Sequence, residues 1–438
     1  MSVGGPVIIR AVSRLARGLR RARFALSYYL RMRRGRRAVF AHLEDGAPVP
    51  MPTFLQLRVT NLCNLRCKMC GQWGDTGVFR EHQGDGATDG ETERARIREL
   101  IGLRRQLALE DYERLLDEVA PHQPIVSLFG GEPFLYPDIL PLVRAIKTRG
   151  LVATVITNGW HLERHARELV EAGMDSIAVS IDGPPDVHDR IRGRESSFAR
   201  AAAGIRAVAH WRERLGRGLP VQMAILPVTE LNAADVPAAL DALRALPLEL
   251  VNVGLRWFVP PRAGEAYERV MKDTFGVDGS SWRGFQFAWP DDAAANGTMK
   301  ALVSVLGAAR RRRLLDVHRG QPWVSFVPAV EPRDVPAYFN EPSRTFGHDL
   351  CPVAWYFAQV EPDGDVCFCG DFPDYVIGNV RSAPFTSVWK GERARLFREK
   401  LAKEPLPICA RCCGSYVYGK WPRPRAAAKP SRAAAAAL

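Results

Sequence analysis

Cys63, Cys67 and Cys70 stand in the segment VTNLCNLRCKMCGQW, at a Cys-x3-Cys-x2-Cys spacing that constrains this chain more than any other feature. Three thiolates on one short loop are the donor set for three irons of a four-iron, four-sulfur cluster. The fourth iron is then left without a protein ligand, open to a small molecule. A structural zinc site wants four closed donors, usually as two Cys-x2-Cys pairs, and a single triple falls short of that. The loop follows a strand-like run, FLQLRVT, so the thiols are expected at a strand end.

The nine cysteines form two groups: 63, 67 and 70, then 351, 367, 369, 409, 412 and 413. Short spacings of this kind, with no signal peptide in view, predict metal ligation in a reducing cytoplasm rather than a disulfide framework. Nothing approaches the length of an apolar membrane span. The 438 residues are enough for more than one domain. The net charge of +13 is uneven. Residues 1–40 carry eleven arginines and no acid, residues 420–438 carry five basic residues and no acid, and the remainder is left at −3. The basic charge therefore belongs to two ends, and no nucleic-acid partner is expected.

In the first end, Ile8, Val12, Leu15, Leu19, Ala22, Leu26 and Tyr29 recur at steps of three and four. That period predicts a basic amphipathic helix over 1–40. Two readings stand side by side. The stripe meets an anionic membrane surface, as a peripheral contact on the inner face of a membrane. Alternatively, the stripe packs on the protein and the arginines are solvated. Residues 420–438, rich in Ala and Pro, read as a disordered basic tail.

From residue 53 strand-like and helix-like runs alternate. Strands are expected at 124–130, 152–159, 175–183, 219–228 and within 248–259, with helical runs between them. With the strand before the cysteines this makes six. Repeated strand–helix units predict an α/β fold, a partial six-stranded parallel β/α barrel over 53–260. Reactive groups in such folds gather where the strands end. Gly130-Gly131-Glu132-Pro133 falls there, with two glycines for close backbone approach and a proline to stiffen the exit. Thr157-Asn158-Gly159 follows the next strand. Ser180 and Asp182 lie two apart at the end of the one after and should share a face. Arg192 offers a charge-assisted hydrogen bond to a carboxylate.

The cysteine loop, GGEP at 130–133 and SIDGPPDVHDRIRG at 180–193, in this order, resemble the radical S-adenosylmethionine (radical SAM) superfamily. The resemblance implies SAM bound at the open iron. Gly130, Gly131, Glu132 and Pro133 would take the amino group of its methionine. Thr157 and Asn158 would wall the pocket, and Ser180 and Asp182 would meet ribose hydroxyls or the methionine end. Arg192 would bind the SAM carboxylate, and Met69 would lie beside the adenine. Asn232 is the one further residue that fits the pattern. His188 and Asp189 read either as a surface turn with a helix cap or as catalytic groups.

Segment 74–106, charged and Gly-rich, reads as an insertion: a lid near the site or a solvated loop. Residues 261–350 read as a bridging region without recognisable chemistry. Then comes Cys351-x12-Gly364-x4-Cys369, with Cys409-x2-Cys412 downstream. Four thiolates brought together fit zinc or an iron–sulfur cluster equally well on chemistry alone. Residues 351–415 resemble a SPASM/twitch-type domain. That implies one auxiliary 4Fe–4S cluster on Cys351, Cys369, Cys409 and Cys412, with Cys367 and Cys413 left over. The expected function is reductive cleavage of SAM and hydrogen abstraction from a substrate C–H bond, with a lean towards a peptide or protein substrate. A dehydrogenase or transferase acting on a small molecule, such as a sugar or lipid precursor, is the alternative. Either needs a reductase, flavodoxin or ferredoxin as electron donor. From another class, a non-enzymatic iron–sulfur electron carrier or a zinc protein would also account for the cysteines.

Overall fold

The computed structural model describes residues 5–75, 77–79, 105–286, 293–318, 320–416, 418 and 421. Most of the 74–106 insertion and nearly all of the 420–438 tail lie outside them, as do the side chains of residues 5–17, including Ile8, Val12 and Leu15. The first described element is a long helix, α1 (Gly5–Asp45). A single mixed sheet follows. Its strands in chain order are β1 (Phe54–Thr60), β2 (Ile125–Gly130), β3 (Val152–Thr157), β4 (Ser176–Ser180), β5 (Val221–Val228), β6 (Leu250–Leu255), β7 (Trp323–Val327), β8 (Phe357–Val360), β9 (Asp365–Cys367) and β10 (Val376–Asn379). Their spatial order is β10-β9-β8-β1-β2-β3-β4-β5-β6-β7.

β1 to β6 are the six strands expected from the sequence, all parallel to their neighbours. The sheet is wider than that expectation. β7, from the stretch read only as a bridge, adds in parallel to β6. β8, from the cysteine-rich C-terminal stretch, adds in parallel to β1, with Gln56 opposite Gln359. Only then does the chain turn into the antiparallel pairs of β8, β9 and β10. The strands of the cysteine-rich C-terminal stretch thus extend the same sheet that carries the N-terminal cysteine loop.

Side-chain alternation explains the two faces. In β5, Ala224, Leu226 and Val228 are buried, while Met223, Ile225 and Pro227 between them are half-buried. The first set packs under the helices that connect the strands. The second lines the concave inner face. The helices bury apolar stripes at the expected period. In α2 (Leu109–Val119) these are Tyr112, Leu115, Leu116 and Val119. In α3 (Leu162–Glu171) they are Leu162, Ala166, Leu169 and Val170.

α1 departs from the reading that packs its stripe on the protein: a different face is buried. The face that packs on the protein carries Phe24, Tyr28, Met32, Gly35 and Val39, at steps of four, four, three and four. Tyr28 meets Phe54 edge-on at 6.0 Å between ring centroids. The Tyr356 hydroxyl donates to the Met32 carbonyl at 3.0 Å. Gly35 lies so close to Thr53 that a Cβ there would sit 1.7 Å from its Oγ1, so no larger residue fits. The expected stripe faces outwards: Leu19, Leu26 and Tyr29 are each more than half exposed.

Candidate active site and thiol clusters

The chain leaving β1 runs across the end of β2. Gly131 N–H donates to the Thr60 carbonyl and Glu132 N–H to the Leu62 carbonyl, both at 2.8 Å. A Cβ on Gly130 would lie 2.3 Å from the Thr60 oxygen, and one on Gly131 2.2 Å from the Leu62 oxygen. The two glycines expected to admit a ligand therefore admit the backbone of the cysteine loop itself. Each thiol of that loop has an N–H donor in reach. Cys70 Sγ accepts from the Gln72 and Trp73 amides, both at 3.4 Å. Asn158 Nδ2 is 4.0 Å from Cys63 Sγ, and Arg192 Nη1 is 3.6 Å from Cys67 Sγ. Met69 is half-buried beside them.

Burial pushes the Cys63 thiol up to about 12 and the Cys67 thiol up to about 11. Burial outweighs the N–H donors and the Arg192 charge that favour the thiolates, and bound irons would supply further positive charge. The donor set fits a cluster with three protein ligands.

Glu132 is fully buried and braces the wall around this loop. Its carboxylate accepts from Thr157 Oγ1 at 2.7 Å, from Asn158 N–H at 2.8 Å and from Phe134 N–H at 3.2 Å. Burial raises its pKa to about 7 against these hydrogen bonds. Pro133 starts a short 3-10 turn behind it. The end of β2 is in this way tied to the end of β3.

Ser180 ends β4 half-buried, and Asp182 lies beyond the strand, sealed from solvent. Arg192 grips Asp182 through Nε and Nη2, and the pair forms the floor under Cys67. Burial opposes the arginine's charge, but Asp182 and Cys67 more than offset it, so its pKa stands above the ordinary value. Asn232 Nδ2 donates to the Asp182 carbonyl at 2.6 Å and joins this end of β4 to β5. His188 lies inside, not on a surface turn. Its Nδ1 accepts the Asp182 N–H at 3.0 Å, and burial drives its pKa down to about 2. Asp189 is a cap: its carboxylate accepts from the Ser196 and Phe198 amides, at the start of α4 (Ser197–Arg214).

The second thiol group assembles from three places. Cys351 contacts Cys409, and both feel Cys369 or Cys412 as near neighbours. A Cβ on Gly414 would lie 3.7 Å from Cys351 Sγ and 3.8 Å from Cys412 Sγ, so these sulfurs flank that glycine. The expected four come together. Of the other two, Cys367 Sγ reaches Glu361 Oε1 at 3.8 Å, while Cys413 Sγ donates to Asp371 Oδ2 at 2.8 Å and also meets the Cys412 thiol. Among the described residues no three His, Cys, Asp or Glu side chains converge on a single ion.

Between the two groups the inner face is polar. Gln56 Nε2 donates to Gln359 Oε1 at 2.5 Å across the β1–β8 pairing. Arg58, 4% exposed, pairs with Glu361 at 3.5 Å, and its Nε has no hydrogen-bond partner. A cavity of about 210 Å³, lined by Asn61, Glu361 and Asp365 among others, opens here. It shares Arg105, Asp363 and Asp365 with a larger one of about 590 Å³. Sequence reasoning passed over Arg58 and Glu361. The signal was present: Gln56 and Arg58 interrupt an otherwise apolar strand at period two.

The strand order and the thiol-bearing strand end define a radical SAM type of α/β enzyme. The Radical SAM superfamily profile matches residues 57–243, and the SPASM profile, an iron–sulfur cluster-binding domain, matches residues 351–413. An AdoMet-dependent heme synthase of Methanosarcina barkeri is 37% identical over 322 residues, covering 70% of this chain and 79% of that protein. A PqqA peptide cyclase of Ruegeria pomeroyi is 30% identical over 181 residues, covering 40% of each chain. The crystal structure of Streptococcus suis SuiB bound to S-adenosylmethionine shares the fold at a TM-score of 0.52 and 14% identity, over 85% of this chain and 73% of that one. The chain belongs to the radical SAM superfamily and carries a C-terminal SPASM domain. Its cofactors are accordingly SAM, the SAM-binding 4Fe–4S cluster and auxiliary iron–sulfur. Among the described residues no helix is long and apolar enough to cross a membrane.

Proposed function

We propose that this enzyme acts on a small, carboxylate-bearing molecule of the tetrapyrrole class. Arg58 carries the reading. Its buried guanidinium pairs with Glu361 at 3.5 Å but leaves Nε without a partner, a donor that a substrate carboxylate would complete. The heme synthase, similar over 70% of this chain, supports the same class. The peptide reading rests on a relative similar over only 40% of the chain; it is second.

When bound, SAM and its cluster supply reductive cleavage to methionine and a 5′-deoxyadenosyl radical that takes hydrogen from a substrate C–H bond. Cys63, Cys67 and Cys70 would hold three irons. Ser180, Asn158, the Gly130–Pro133 turn and Met69 would help to hold SAM. Glu132, Asp182 and Arg192 position that wall from behind, because their charged groups are already engaged with protein partners. Cys351, Cys369, Cys409 and Cys412 would hold the auxiliary cluster. An oxidoreductase or a transferase outcome is compatible with this layout. The electron comes from a reductase, flavodoxin or ferredoxin. A reducing cytoplasm suits cysteines that are all free of disulfides.

The test is anaerobic incubation with SAM, dithionite and either an iron porphyrin bearing propionates or a peptide library. We expect 5′-deoxyadenosine to rise with the porphyrin and the porphyrin mass to change. Stimulation by peptide alone would establish the second reading. No 5′-deoxyadenosine under any condition would remove both.

A further inference from the structure

We propose that the outer face of α1 is a docking surface for an anionic lipid bilayer, placed on the end of the barrel opposite the chemistry. The inner face of this helix is anchored where strands begin. Arg21 Nε donates to the Gly218 carbonyl at 3.0 Å, just before β5, and pairs with Glu249 at 2.9 Å, just before β6. Arg31 donates to the Gln123 carbonyl at 2.6 Å and Arg34 to the His122 carbonyl at 2.9 Å, just before β2. Cys63, Cys67 and Cys70 lie where β1 finishes. α1 therefore crosses the far end of the sheet.

The anchoring leaves an apolar face outwards. Leu19, Leu26, Tyr29 and Leu30 are 56%, 57%, 58% and 50% exposed. They are four of the seven large apolar side chains exposed among the described residues, so the patch is concentrated on one helix. At 100° per residue Leu19, Leu26 and Leu30 fall within about 40° of one another. Exposed Arg20, Arg23, Arg33 and Arg37 flank them, and the chain has no acid before Glu44. An apolar ridge edged by arginines, with no countercharge, complements acyl chains beneath anionic headgroups. A protein partner would need an acidic groove around an apolar slot; a bilayer supplies both elements without a specific shape.

Docking in this orientation keeps the Cys63–Cys70 loop facing the aqueous side, so the electron donor and substrate approach from solution. It also makes attachment separable from catalysis.

The test uses the full chain with reconstituted clusters and vesicle flotation. Vesicles are phosphatidylcholine alone, or with about one third phosphatidylglycerol. We expect binding to the anionic vesicles only, weakened by salt. Leu26→Glu/Leu30→Glu should abolish it, and Arg23→Glu/Arg37→Glu should weaken it about tenfold or more. Both variants should keep full iron content and 5′-deoxyadenosine formation, which also shows that they fold. Failure of the wild type to float with anionic vesicles overturns the proposal. So does binding that survives both variants, or loss of a soluble oligomer in Leu26→Glu/Leu30→Glu without any vesicle binding in the wild type; that last result assigns the face to a protein interface.

Discussion

Arg192 clamps Asp182 with two hydrogen bonds, Nε to Oδ2 at 2.5 Å and Nη2 to Oδ1 at 2.8 Å, and turns its remaining Nη1 to Cys67 Sγ at 3.6 Å. The pair is sealed from water. It joins the end of β4 to the cysteine loop and sets a fixed positive charge beneath one thiol.

Breaking that clamp from one side should be costly. Arg192→Gln strands a buried carboxylate, at about 3–5 kcal/mol. The double variant Asp182→Asn/Arg192→Gln should recover a large part of that. Chemical denaturation of the three proteins checks the order. Equal stability of single and double variants would show that Asp182 is not charged inside the fold.

The thiol assignments predict an iron ledger. Cys63→Ala/Cys67→Ala/Cys70→Ala should lose about four irons per chain and all SAM cleavage, while keeping about four irons on the second group. Cys367→Ser should lose none, since its sulfur faces Glu361, and Cys413→Ser should lose none if Cys412 is the ligand of the adjoining pair. Iron analysis with Mössbauer spectra reads this directly. Iron loss in Cys413→Ser would exchange it with Cys412 as ligand.

Gly131→Ala should displace the cysteine loop, because its Cβ would meet the Leu62 carbonyl at 2.2 Å. The backbone there has nowhere to retreat without breaking the Glu132 N–H bond to the same oxygen. We expect near-normal circular dichroism, a retained second cluster and at least tenfold less 5′-deoxyadenosine, the order expected when a reacting group moves by about 1 Å. Wild-type turnover would show that the loop has slack.

His188 makes stability fall in acid. Its folded pKa is about 2 against an ordinary 6.5, because burial disfavours the charged ring. Between those values the unfolded chain binds a proton that the folded chain refuses. Its contribution is therefore complete above pH 6.5 and is lost at about 1.4 kcal/mol per unit as pH falls below it. Glu132 works in the other direction: its pKa rises from 4.5 to about 7 on folding, so it lowers stability as pH climbs through that window. His188→Asn keeps an acceptor for the Asp182 N–H and cannot ionise. The difference between variant and wild-type urea midpoints at pH 7.5 and 5.5 isolates the histidine. An identical acid slope in both would exclude it.

Local spacing made much of this legible before any fold was known. Cys-x3-Cys-x2-Cys, six strands in order and apolar helix stripes are short-range patterns, and each is set by neighbours within a few residues. The sheet's outer strands were not legible. β7 is a five-residue strand and β8 a four-residue one, too short to show a period, and both exist because β6 and β1 offer them an edge.

The sequence by itself determined the donor chemistry, the strand–helix rhythm and the family, because these depend on residue type and separation along the chain. Tertiary structure decided which polar groups are free to act. Glu132, Asp182 and Arg192 read in the sequence as ligand contacts, and the fold gives each of them protein partners, up to 125 residues away. It also decided that α1 buries Tyr28 and Val39 and turns Leu26 outwards. Both faces of that helix have apolar residues. Which one is buried depends on the surface it meets, and that surface is assembled from strand ends scattered over the whole chain.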